Sequence, residues 1–224
     1  MISAPLPSLG AVAMAATPAA SSLSTSGGAG DALPPSSLWQ QCTLYGSDIQ
    51  DMVDHGILPK KQISGWRCCF AEEFPSKDMT EMVVFKSFYE KGFVLPTRVF
   101  FRGLLHFYGL EVTHLKPNSI AQITIFIQLC EGYLGIAPHF NLWRALYRLK
   151  GHPFNVRQNV VGRAAFSLRQ GSVCPDFELR DTNKGWAREW FVVANSAPCL
   201  PARSRRTPEY KVCWEEPPMT EEMA

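Results

Sequence analysis

The stretch LPTRVFFRGLLHFYGLEVTHLKPNSIAQITIFIQLCEGYLGIAPHFNLWRALYRLKG, residues 95–151, decides the fold class. It holds three consecutive segments of helical periodicity, each with a Pro near its start and a Gly just past its end. The first opens at Pro96 or Thr97 and ends at Gly109, with Phe100, Leu104, Phe107 and Tyr108 on its apolar face. Arg98, Arg102 and His106 step by four along its other side. The second runs from Pro117 or Asn118 to Gly135. Ile120, Ile123, Phe126, Ile127, Cys130, Tyr133 and Leu134 make it apolar around most of its circumference, which predicts an interior helix. The third starts near Pro138 and ends at Gly151, with Phe140, Trp143, Leu146, Tyr147 and Leu149 inward. Arg144 and Arg148 then lie one turn apart outside. Short linkers make the three pack as neighbours.

Outward from this core the pattern weakens. Residues 1–38 are rich in Ala, Ser, Pro and Gly, and the first thirty carry no charged side chain, so a disordered tail is expected. Ser47 and Gln50 form a capping box for a short helix closed by Gly56. Trp66, Cys68 and Phe70 alternate with Arg67 and Cys69 as in a half-buried strand. Residues 83–91 fit either a strand or a helix. Beyond Pro153 the period becomes two. Residues 163–169 and 176–180 read as a hairpin, and 189–193 as a further strand. From Asn195 to Ala224 the chain is rich in Pro and charge, and a second disordered tail is expected. The whole predicts an α+β domain over residues 39–194, with a mainly helical core and a small C-terminal antiparallel sheet.

Charge and motifs bound the chemistry. Between Gly92 and Arg169 the only acids are Glu111 and Glu131. A metal-dependent strand-transfer site needs convergent carboxylates, and those two with Asp176 make a poor trio. The nearest text to a retroelement protease motif, Asp181-Thr182-Asn183, fails it. Seven cysteines occur without any Cys-x-x-Cys pair, so neither a zinc site nor a disulfide framework is supported. Reduced thiols in an intracellular protein are expected, nucleus and cytoplasm being undistinguished. No cofactor, metal or membrane-spanning helix is expected. The net charge of +2 decides little, but the region around the helices is distinctly basic. If their outer faces adjoin, Arg98, Arg102, Arg144, Arg148, Lys150 and Arg157 would contact phosphates.

Four blocks carry a family resemblance: KGFVLP (91–96), LKPNSI (115–120), CEGYLGIAPHFNLWR (130–144) and KGWAREWFVV (184–193). In this order and spacing, across about residues 51–193, they resemble the gypsy-type transposon domain of plant retroelement-derived proteins. The resemblance implies origin more than mechanism. Such domains are labelled transposase by association and usually precede long coiled-coil-prone regions. The chain ends at Ala224 before such a region, so a fragment or a degenerate copy is expected. No catalytic or ligand residue carries over from the family. The expectation is a non-catalytic structural or interaction domain with a packaging-like role. Weak electrostatic nucleic-acid contact, self-association or other retroelement proteins would supply its partners. The alternatives are a transposition enzyme with an unrecognised active site, or a relic without selected function.

Overall fold

A computed structural model describes residues 39–75, 78, 80–151, 160–171, 184–197, 199–204 and 206–217. Contacts divide the chain into Met1–Ala32 and Leu33–Ala224, and all described residues belong to the second unit. The N-terminal tail, Arg157 and the expected strand at 176–180 lie outside the described residues.

Helix α1 is Gly46–Asp54, α2 Lys61–Ser64, α3 Lys86–Glu90, α4 Val99–Tyr108, α5 Pro117–Gln128 and α6 Phe140–Leu146. The strands are β1 Glu81–Phe85, β2 Tyr147–Gly151, β3 Ala164–Leu168 and β4 Trp190–Ala194. They form two antiparallel pairs, β1 with β4 and β2 with β3, so the fold is α+β. Among the described residues two sheets stand in place of the single C-terminal one expected, because each recruits one strand from upstream in the chain.

Helix α5 is the interior helix. Ile120, Ile123, Phe126 and Cys130 are buried, and the helix packs on α3 and β3. Pro117 starts it, where the missing N–H costs nothing. A π-helical turn, Leu129–Leu134, extends it to Gly135, whose φ of +65° ends it. That wider turn carries Tyr133 and Leu134 outward, against the expectation that they face the core.

The third predicted helix is only half helical. It stops at Leu146, and Tyr147–Gly151 is a strand paired with Ala164–Leu168. The reason is geometric. On a helix, residues two apart point in nearly opposite directions, whereas on a strand they share a face. Only a strand lets Tyr147 and Leu149 both enter the core while Arg148 and Lys150 face away. Arg148 therefore stands on a strand rather than one helical turn from Arg144.

Other expectations shift similarly. The ambiguous segment 83–91 is both things in turn, β1 and then α3. Trp66 to Phe70 is not a strand: one bridge joins Arg67 to Val192, and Phe70 turns out to stack on Tyr45 with ring centroids 4.2 Å apart. The expected strand at 189–193 is β4, one residue shifted. Past Asn195, where a disordered tail was expected, Leu200, Ala202, Arg203, Ser204 and Trp214 are buried. The Ala202 carbonyl accepts the Val83 N–H at 2.8 Å, covering the free edge of β1. Apolar side chains scattered among Pro and charge seat this strap, and composition alone hides them.

Candidate functional site

The outward charges gather where α6 passes into β2. Arg144 lies over the rings of Phe107 and Phe140, its guanidinium carbon 5.1 and 6.0 Å from their centroids. The apolar stem and ring contacts hold the charge at the surface. Arg169, just past β3, is positioned from two sides. Its backbone N–H donates to the Leu146 carbonyl at 2.8 Å, and its Nε–H donates to the Arg144 carbonyl at 2.8 Å. Arg148 sits opposite Ser167 across the β2–β3 pair, and exposed Lys150 opposite Ala165.

The guanidiniums of Arg144 and Arg169 reach adjacent backbone carbonyls of one segment. Arg144 donates to Glu216 at 3.5 Å, and Arg169 donates to Glu215. That segment is seated by Trp214, which is buried and donates its indole N–H to the Tyr108 carbonyl at 3.1 Å. Among the described residues the ion pairs are Arg67 with Glu72 and Glu81, and Arg98 with Glu131. Arg144, Arg148 and Arg169 have none, and the buried Nε atoms of Arg144 and Arg148 have no hydrogen-bond partner. Burial above all pulls the Arg169 pKa below its ordinary value; the Arg148 and Arg144 charges add to this, while Tyr108 and Glu215 oppose it.

The remaining predicted basic residues lie elsewhere. Arg98 precedes α4 and pairs with Glu131, and Arg102 donates to the Thr97 carbonyl. Phe107, on which Arg144 rests, is nine residues along from Arg98, about 13 Å of helix. Beside Arg98 a cavity of about 210 Å³ opens between residues 92–101 and α5, walled by Phe93, Phe101, Ile120, Ile123 and Ile127. The Thr97 hydroxyl borders it, buried and without a hydrogen-bond partner.

The acids of the helical stretch serve local structure. Glu131 pairs with Arg98, and Glu111 caps the turn Val112–His114. In return the Glu111 N–H donates to His114 Nδ1 at 3.0 Å, which leaves the ring proton on Nε2 to donate to the Arg206 carbonyl at 2.9 Å. Burial lowers the His114 pKa, countered by the Arg206 carbonyl and the Glu111 carboxylate. No three His, Cys, Asp or Glu side chains among the described residues are grouped to hold a metal. Trp143 and Trp190 are buried in packing roles, and Trp186 stacks on Phe88 at 5.8 Å. His106 and His139 are exposed.

Sequence reasoning did not single out Arg169, His114 or Trp214. A lone Trp in a polar, Pro-rich tail was the one available signal, since such a ring is rarely left in water.

Comparison with curated proteins and with solved structures gives no match. A family model, described as "Putative gypsy type transposon", matches residues 83–151. The match takes in the blocks at 91–96, 115–120 and 130–144, and stops short of the block at 184–193. It thus runs from within β1 to the end of β2, and over this helical heart the chain is similar to the gypsy type transposon family.

Proposed function

We propose that this chain is a non-catalytic interaction domain of retroelement origin that holds nucleic-acid backbone electrostatically. The observation that carries the reading is the basic surface at the α6–β2 junction. Arg144, Arg148 and Lys150 face outward there, and no carboxylate among the described residues pairs with them. Such a surface suits phosphates, which take their affinity from charge and counterion release rather than from base readout. The non-catalytic half of the reading is supported by where the acids go. Glu131 is paired with Arg98, and Glu111 stands beside the turn Val112–His114 with no second and third acid gathered around it among the described residues.

The test is an electrophoretic binding assay with single-stranded RNA across a salt series. Binding should weaken steeply with salt. Arg144→Gln with Arg148→Gln should flatten the log–log slope by about 0.7 for each phosphate that the protein no longer neutralises. No binding at low salt, or a slope untouched by the double variant, rejects the reading. Metal-dependent strand cleavage by the purified protein would reject its non-catalytic half.

A further inference from the structure

We propose that Arg144, Arg148 and Arg169 form a phosphate-binding site, and that the chain's own residues Glu215 and Glu216 cap it. The proposal rests on the nucleic-acid reading above and narrows it to one site with a built-in competitor.

Three facts carry it. First, Arg169 is positioned rather than loose: the Leu146 and Arg144 carbonyls hold it on the same side of the fold as Arg144. Second, the groups that Arg144 and Arg169 hold are peptide carbonyls of successive residues, Glu216 and Glu215. A carbonyl is a neutral acceptor. It satisfies one N–H but adds no charge of its own, so the like charges of Arg144, Arg148 and Arg169 stay crowded together, eased only by the Glu215 carboxylate nearby. A phosphate offers several acceptor oxygens and negative charge, which suits the planar fork of a guanidinium. Third, the cap is held lightly beyond its anchor. Trp214 is buried, but Glu215, Glu216 and Pro217 are exposed, and the regular structure next to them is the single turn Val212–Trp214. The end past Trp214 can leave the arginines while the indole stays seated.

The chemistry is common to a free phosphate and a nucleic-acid phosphodiester, and two arms separate them. Calorimetry with inorganic phosphate at fixed ionic strength forms one arm. Fluorescence anisotropy with a single-stranded RNA oligonucleotide forms the other. Hydrogen exchange of the peptide covering 212–217 reads the cap in the unmodified full chain. Arg169→Gln should weaken binding about tenfold, the size of one charge-assisted hydrogen bond. Exchange at Glu215 and Glu216 should quicken on saturation. Arg148→Gln, which removes no side-chain hydrogen bond among the described residues, repeats the test if Arg169→Gln fails to fold.

Weaker binding in both arms supports the site for phosphodiester and free anion alike. Weaker phosphate binding with no RNA binding at all keeps the site and removes the nucleic-acid reading. RNA binding that ignores both substitutions overturns the site, making the arginines a staple for the C-terminal segment, and leaves the nucleic-acid reading to the salt slope of the Arg144→Gln, Arg148→Gln double variant. Unchanged or slower exchange at Glu215 and Glu216 overturns the cap.

Discussion

The two strand pairs have equal length and both run antiparallel, yet they meet their surroundings differently. In β1 and β4 almost every residue is buried, from Met82 to Phe85 and from Trp190 to Val193. Trp39 and Trp186 lie against Phe85, with centroids 6.2 and 4.9 Å away, and Tyr89 lies 5.9 Å from Phe191. In β2 and β3 burial alternates, with Tyr147, Leu149, Ala164 and Phe166 inward and Arg148 and Lys150 outward. A strand covered on both faces can only be scaffold, while a strand covered on one face has a surface to offer. Burial is concentrated in the first pair, and the candidate site is built on the second.

The sharpest way to break this contrast is Trp190→Ala. Trp190 is fully buried, and its indole donates to the Gln40 carbonyl at 2.9 Å. The substitution should cost about 3–5 kcal/mol, read from urea denaturation. A cost under about 1 kcal/mol would mean the double-covered pair is not the scaffold. His114, in the turn Val112–His114 between α4 and α5 and bonded to the Arg206 carbonyl, comes next. Its neutral form is favoured in the fold, so below its unfolded value of 6.5 the unfolded chain binds a proton that the folded chain resists. Stability should fall as pH drops from about 7.5 to 5.5, and stay flat for this group above that range. The wild type should lose more than His114→Gln over the same interval in urea midpoints, and equal losses would remove His114 from the account. Smallest of all, Lys150→Ala on the outward face of β2 should change stability by no more than about 0.5 kcal/mol. A larger cost would show that this face, too, is packed.

Each pair takes one strand from within the matched family segment, or mostly so, and its partner from beyond it. β1 and β2 belong to the segment, β3 and β4 do not. Cut to 83–151 the chain would leave two strands without partners, so the family segment is the centre of a fold and not its boundary.

Much of that centre was legible in the residues. Spacings of three and four from Ile120 to Cys130 placed α5 inside, and Pro117 and Gly135 marked its ends. The segment Tyr147–Gly151 was misread, because Leu146 and Tyr147 continue the helical spacing from Trp143 and the alternation of Tyr147 with Leu149 is too short to outweigh it before the partner strand is known. The candidate site was half legible. Arg144 and Arg148 were picked out as basic and outward, but Arg169 joins them through contacts more than twenty residues apart.

The sequence by itself determined where α1, α4 and α5 lie and the buried face of α5 as far as Cys130, because those depend on residues within a turn or two of one another. It also determined the scarcity of acids around the basic residues. Tertiary structure alone decided which strands pair, that Trp214 brings the C-terminal segment back to the core, and that Arg98 is neutralised while Arg144 is not. Strand partners and ion pairs join positions far apart in the chain, and no local period encodes such a distance.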